Sequence, residues 1–319
     1  MHRIVFLERD TLAPSVALRR PAFAHDWVEH PKTKPHEIVE RAKGATILIV
    51  NKLNITAEIF AALPDLRLIA MAATGTDCID KQAAKAAGVA VANIRGYATT
   101  TVPEHTFALI LALARSIRPY ADDVLAGEWQ KAEQFCFFAN PIVDLAGRRL
   151  GVFGSGSLGS RVGELGRAFG MDVVFAGRKG DATPKPGHTP FDEVIETADV
   201  FTFHCPLTPE TRGMVAMPEF RRMRRRPIVV NTARGGLVDE VDLERALDEG
   251  LVSGAGLDVT LPEPPPLDAP IMRLARRRDV VVTPHTAWAS REAQQTLADM
   301  MIDNIEAFVA ARPQNLVVG

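Results

Sequence analysis

Residues 148–179 read RRLGVFGSGSLGSRVGELGRAFGMDVVFAGRK, and few folds accommodate that order of residue types. An apolar run over 150–153 enters the turn Gly154-Ser155-Gly156-Ser157-Leu158-Gly159. A stretch with helical spacing follows, and a second apolar run over 173–176 closes the unit. Strand, glycine turn, helix and strand form the context in which GxGxxG carries meaning as a dinucleotide fingerprint. Gly154 permits the tight turn, Gly156 lets a pyrophosphate approach the backbone, and Gly159 lets the helix pack close to the sheet. The helix N-terminus presents unpaired N–H groups and a partial positive charge to the phosphates.

The rest of the chain supplies a frame of the same kind. Residues 4–7 read as a short buried strand, followed by a polar, Pro-punctuated section and a helix near 37–43. Strands are expected at 46–50, 66–72 and 89–92, with helices at 56–63 and 80–87 between them. After the glycine turn, strands are expected at 200–204, 228–231, 253–259 and 280–283, a helix at 240–249 and a final amphipathic helix at 292–311. Alternating elements of this length predict α/β architecture: two doubly wound parallel sheets with helices on their faces and a cleft between them. Between the two sets lies a long apolar helix over 102–115, expected to connect two domains, with Pro103 in its tolerant first turn. The aromatic segment around Gly127-Glu128-Trp129 and Phe135-Cys136-Phe137-Phe138 could fill a core groove or pack on a second subunit.

Composition narrows the function classes. The 319 residues are 47% hydrophobic and 24% charged, with a net charge of −2, which gives no reason to expect a nucleic-acid or membrane partner. The arginine clusters at 221–226 and 276–278 each precede an apolar strand and read as solvated ends. The three cysteines lie far apart and form no CxxC, which suits a reducing compartment with neither a disulfide framework nor a metal site. With no N-terminal apolar leader and no apolar run of about 18 residues, the expected location is the cytoplasm.

Three polar residues stand at or just past strand ends in the second half. Arg234 follows 228–233, Glu263 lies five residues beyond Asp258, and His285 follows 280–284. Parallel strands bring such residues to the same edge as the glycine turn. An arginine can clamp a carboxylate in bidentate fashion. A histidine can protonate a carbonyl oxygen while hydride arrives at carbon, and a neighbouring carboxylate favours its charged form. Together the three suit the reduction of a 2-oxo acid.

The order of GxGxxG, then Asn231-Thr232-Ala233-Arg234-Gly235-Gly236, Asp258, Glu263-Pro264 and Thr283-Pro284-His285 resembles the D-isomer-specific 2-hydroxyacid dehydrogenases along essentially the whole chain. Asn51-Lys52-Leu53, Gly96-Tyr97-Ala98-Thr99, Phe135-Cys136-Phe137 and His285-Thr286-Ala287-Trp288 resemble the bacterial glycerate dehydrogenase and hydroxypyruvate reductase branch. The resemblance implies a Rossmann domain over 100–286, with a connector and dimerisation segment at 100–147. It also implies a discontinuous, flavodoxin-like substrate domain made of 1–99 and 287–319, and a homodimer. Arg234 would bind substrate, His285 would act as general acid, and Glu263 would be its partner. Backbone N–H groups at Thr74, Gly75 and Thr76 would hold the substrate carboxylate, with Leu53, Tyr97 and Trp288 near its side chain. Ser155 and Leu158 would lie along the pyrophosphate, and His204, Cys205 and Pro206 along the adenosine. Asp258 would face the nicotinamide carboxamide, with Thr232 and Ala233 nearby. The implied substrate is a small 2-oxo or 2-hydroxy acid, hydroxypyruvate or glyoxylate first.

One departure bears on the cofactor. NAD enzymes place an acid at the end of the second strand to bind the ribose hydroxyls. Here that end reads Phe175-Ala176-Gly177-Arg178-Lys179, and Asp172 stands at the opposite end. Two cations and no acid suit a 2′-phosphate, so among NAD(P) cofactors NADPH is expected over NADH. Two other readings remain: a dinucleotide-sensing binding protein of the same fold, and phosphite-type oxidation within the family. A pure sensor need not keep Arg234, Glu263 and His285 together. Formate-oxidising relatives carry Gln at the position of Glu263, which argues against that reaction.

Overall fold

The computed structural model describes residues 1–181 and 183–319. The chain divides into two compact units, one formed by Met1–Ala98 with Ala289–Gly319 and the other by Thr99–Trp288.

The first unit is built on β1 (His2–Phe6), β2 (His25–Glu29), β3 (Ile47–Val50), β4 (Leu68–Met71) and β5 (Ala90–Ala92), with a C-terminal strand, Leu316–Val318. Across the sheet the order is C-terminal strand, β5, β4, β3, β1, β2. β1 to β5 run parallel, with Ile4 beside Ile47 and Ile49 beside Ala70. The C-terminal strand pairs antiparallel to β5. Every residue of β3 and β4 is buried, as expected of strands covered on both faces. The order of β1 to β5 is the flavodoxin-like 2-1-3-4-5 arrangement.

β2 lies where the sequence suggested an irregular polar section. It is an edge strand whose side chains stay partly in water, so its pattern carries little apolar signal. The helix expected at 37–43 appears as a 3-10 turn, Pro35–Glu37, followed by one turn of α-helix, Ile38–Arg41. The long final helix runs over Arg291–Val309, capped by Ser290, whose hydroxyl accepts from the Ala293 N–H at 3.1 Å. It packs over β4 and so belongs to the first unit.

The second unit holds β6 (Arg149–Phe153), β7 (Asp172–Phe175), β8 (Val200–Phe203), β9 (Ile228–Asn231), β10 (Gly254–Leu257) and β11 (Val280–Val282). Their order is β11, β10, β9, β8, β6, β7, all parallel. A Rossmann sheet carries a further strand beyond the second. Here it shrinks to one parallel bridge between Ala176 and Thr189, closed by Gly177 N–H to Thr189 O at 2.7 Å and Thr189 N–H to Phe175 O at 2.8 Å. Pro184, Pro186 and Pro190 lack the N–H that a longer ladder would need.

The apolar helix expected to connect two domains spans Thr101–Ala114. It lies within the second unit, packed on the helix Ser157–Ala168 and on β9 and β10. That placement explains its apolar character on several sides. Beyond it, Leu125, Phe135 and Phe138 are 86%, 88% and 89% exposed. Among the described residues, no helix is long and apolar enough to cross a membrane.

Candidate active site

The glycine turn follows β6 and enters the helix Ser157–Ala168. Gly154 has φ 109°, and a side chain there would lie 2.6 Å from the His204 carbonyl oxygen and 2.9 Å from the Cys205 nitrogen. The turn is therefore pressed against the chain leaving β8, at the point where the strand order reverses. At Gly159 a Cβ would meet the Gly154 oxygen at 1.8 Å, so the helix begins directly on the turn. Gly156, the residue before the helix, faces open space. An uncovered helix N-terminus at a strand-order reversal fits the pyrophosphate of a dinucleotide.

Around this turn the structure redistributes the cations read from sequence. Lys179 does not stand free beside Arg178. Its ammonium donates to the Met214 carbonyl at 3.1 Å and pairs with Glu219 at 2.8 Å, whose side chain is only 7% exposed. A buried carboxylate needs a counter-charge, and Lys179 supplies it. Arg178 remains exposed at the end of β7. Two other basic residues, invisible in the sequence pattern, approach the turn: His188 Nε2 lies 2.9 Å and Lys185 Nζ 3.4 Å from Ser155 Oγ. Asp172 starts β7 and pairs with Arg149 at 2.7 Å, far along the strand from the turn.

His204 bonds Thr202 Oγ1 through Nε2 at 2.9 Å, while its Nδ1 is enclosed without a partner among the described residues. Burial pushes its imidazole down to about 3, so it stays neutral. Burial likewise raises the Cys205 thiol to about 11. Pro206 is exposed.

The residues proposed for chemistry gather beyond β9, β10 and β11. Asn231, 2% exposed, shapes the turn that carries Arg234: its amide donates to the Arg234 carbonyl at 2.8 Å and its oxygen accepts the Ala233 N–H at 3.1 Å. Thr232 exchanges a 2.9 Å hydrogen bond with Thr106 of the long apolar helix. Gly235 permits this turn to touch the backbone after β10, because a Cβ there would fall 2.1 Å from the Thr260 carbonyl carbon and oxygen.

His285 Nδ1 lies 2.6 Å from Glu263 Oε2, and Glu263 Oε1 accepts the Thr260 N–H at 3.2 Å. The pair is partly open, with side chains 23% and 30% exposed. His285 itself has φ 54°, a left-handed conformation that costs free energy in a non-glycine residue. Asp258, 1% exposed, holds it there. Its carbonyl accepts the His285 N–H at 2.7 Å. Its carboxylate accepts Thr283 Oγ1 at 2.5 Å and the Thr286 and Ala287 N–H groups at 2.8 and 3.0 Å. His105 adds a 3.1 Å contact to Thr283 Oγ1. The resemblance implied that Asp258 faces the nicotinamide carboxamide; in the structure its carboxylate accepts bonds within the turn that carries His285.

In the first unit, the loop after β4 is braced by the chain leaving β5. Thr74 Oγ1 donates to the Ile94 carbonyl at 2.6 Å, and Asn93 Nδ2 donates to the Thr74 carbonyl at 2.7 Å. Thr76 is 7% and Leu53 9% exposed, the latter within the core of that unit. Tyr97 is half-buried in the first unit, as is Trp288 at the end of the second. Among the described residues, no cluster of His, Cys, Asp and Glu could hold a metal.

Comparison with known proteins identifies the family. The family model for the NAD binding domain of D-isomer specific 2-hydroxyacid dehydrogenases matches residues 107–287. A glycerate dehydrogenase of Methylorubrum extorquens is 48% identical over 99% of this chain and 98% of its own. A hydroxypyruvate reductase of Blautia hydrogenotrophica is 33% identical over 89% and 88%. Among solved structures, a D-lactate dehydrogenase of Aquifex aeolicus complexed with NAD and lactic acid superposes with a TM-score of 0.80 at 28% identity, covering 99% of both chains. The chain belongs to the D-isomer-specific 2-hydroxyacid dehydrogenases, on their glycerate dehydrogenase and hydroxypyruvate reductase branch, and is a nicotinamide-dependent oxidoreductase of 2-hydroxy acids.

Proposed function

We propose that this enzyme reduces small 2-oxo acids, hydroxypyruvate and glyoxylate first, to D-2-hydroxy acids. The observation that carries the reading is the His285–Glu263 pair at 2.6 Å, on a backbone turn clamped by Asp258. When bound at the glycine turn, the nicotinamide cofactor supplies the hydride. Glu263 engages Nδ1 and fixes the ring, leaving Nε2 to deliver the proton to the carbonyl oxygen. Arg234 offers a planar fork of donors to the substrate. The amides of residues 74–76 are the candidate holders of its carboxylate, and Tyr97 and Trp288 the candidate neighbours of its side chain.

The test is oxidation of NADPH and NADH by the full chain with hydroxypyruvate, glyoxylate, pyruvate and a bulky aromatic 2-oxo acid. Fast turnover of the two small polar acids is expected. Tight dinucleotide binding without turnover of any acid would favour the sensor reading. His285→Ala should lower kcat by about 10²–10⁴-fold, the usual worth of a positioned acid. Near-normal turnover in that variant would mean that another group gives the proton.

The preference for NADPH rests on the absence of an acid directly at the end of β7 and on the exposed Arg178 that follows it. A hydrogen bond to a charged group is worth about 1.5–3 kcal/mol, so Arg178→Ala should raise the NADPH KM roughly tenfold or more. The NADH KM should change little. Lys179→Ala, which removes the partner of Glu219, should lower thermal stability without altering the ratio of the two KM values. Equal rises for both dinucleotides would remove the 2′-phosphate from the assignment.

The homodimer is part of the same reading. Leu125, Phe135 and Phe138 form exposed apolar surface beyond the long apolar helix, of the kind that a second subunit covers.

A further inference from the structure

Both sheets have a point where the strand order reverses, and there open α/β sheets bind ligands, in the crevice outside the carboxyl ends of the strands. In the second unit this point lies between β6 and β8, where Gly156 faces open space. In the first unit it lies between β1 and β3, and it is not open. Glu8, two residues past β1 and 9% exposed, sends its carboxylate across to the end of β3. There a single oxygen, Oε2, accepts the backbone N–H groups of Asn51, Lys52 and Leu53 at 2.7, 2.9 and 3.2 Å. Three successive amides converging on one point form an anion-binding nest.

The bonds continue toward the loop after β4. The Cys78 thiol lies 3.6 Å from the Asn51 carbonyl. Ile55 N–H donates to the Cys78 carbonyl at 2.8 Å, and Asp80 N–H to the Ile55 carbonyl at 3.1 Å, forming a parallel bridge between Ile55 and Ile79. Ile79 N–H in turn donates to the Thr76 carbonyl at 3.2 Å. After burial, the charge of Glu8 is the next cause that holds the Cys78 thiol up at about 11.

We infer that Glu8 is a built-in anion: it occupies the nest at the first sheet's ligand crevice, and by fixing residues 51–55 it positions the loop at 74–76 for the substrate carboxylate. The inference rests on the proposal that this loop binds the substrate. Glu8 is thus a positioning residue that touches neither substrate nor cofactor. A nest already filled by the chain's own carboxylate also leaves the incoming acid one address, the neighbouring loop.

The experiment uses the full chain, with steady-state kinetics and amide hydrogen exchange side by side. In Glu8→Ala the KM for hydroxypyruvate should rise about tenfold or more, as small displacements of positioning groups do, while the KM for the dinucleotide stays within twofold. Protection should fall at residues 51–53 and, through the Ile55–Ile79 bridge, at 76–80. Glu8→Gln keeps an acceptor oxygen at the same reach but loses the charge, and should raise the KM less than Glu8→Ala does. Glu8→Asp keeps the charge but is one methylene short, and should resemble Glu8→Ala. If Glu8→Ala does not fold, the Gln and Asp variants carry the same comparison. An unchanged hydroxypyruvate KM in folded Glu8→Ala or Glu8→Asp overturns the inference, as does lost protection confined to 51–53. Failure of the parent protein to turn over any 2-oxo acid would instead sink the proposed function, and this inference with it.

Discussion

Single residues in this enzyme act mainly by where they hold other residues. Asp258 spends its carboxylate on a hydroxyl and two amides, and the return is a histidine kept in a left-handed conformation. Such a conformation costs of order 1–3 kcal/mol and persists only where its surroundings over-determine it. Gly235 makes the complementary contribution by lacking a side chain. Gly235→Ala would place a methyl 2.1 Å from the backbone of Thr260, so either the turn of Arg234 or the segment leading to Glu263 must move. The expected cost is about 1–3 kcal/mol of stability from overpacking. Displacement of about 1 Å at such a site lowers turnover by roughly 10²-fold, which thermal unfolding and kinetics would show together. A variant with normal kcat/KM would show that neither segment needs its present place.

Elements divide into those that announce themselves in sequence and those made by context. β3, β4, β8 and β9 are legible because strands buried on both faces are written as near-continuous apolar runs, broken here only by Thr202 and Asn231. The edge strand β2, the three-residue C-terminal strand and the helix Phe191–Thr197 are not, being short or half in water. The site follows the same division. Arg234, Glu263 and His285 are readable because each follows a strand whose direction is known. Glu8 is not, since one acid after an apolar run looks solvated until the amides at 51–53 are brought to it. Lys185 and His188 reach Ser155 from a segment without strand or helix pattern.

The exposed segment after the long apolar helix carries the prediction at this scale. If the proposed homodimer is built on this segment, replacing Phe135 and Phe138 by Ser should convert it into monomers in sedimentation or light-scattering experiments. Burying one such aromatic side chain contributes about 1.5–3 kcal/mol, so two per subunit are enough to decide association. A dimer of unchanged affinity would place the interface elsewhere.

At the scale of the whole molecule, the first unit is assembled from both ends of the chain and the second from its continuous middle. The helix Arg291–Val309 covers β4, and Asn304 donates to the Asn93 carbonyl at 2.9 Å, beside the loop that carries Thr74. Removing residues 289–319 should therefore strip protection from the sheet of residues 1–98. The second unit should keep its cooperative unfolding and its affinity for dinucleotide. Hydrogen exchange on the truncated chain checks this, and loss of protection in both units would contradict it.

The same division sets an order of events during synthesis. A ribosome releases residues 99–288 as one stretch whose partners are all in hand, so that unit can fold while translation continues. The first 98 residues emerge earlier yet must wait for the last 31, with β4 uncovered and β5 lacking its antiparallel neighbour. Contacts between residues nearly three hundred positions apart, such as Ala13 with Gln294, form only after residues 289–319 are made. A newborn chain of this enzyme can thus complete the unit that matches the family's NAD binding domain before the sheet of residues 1–98 is closed. That interval is when its exposed strands are most open to chaperones and to aggregation.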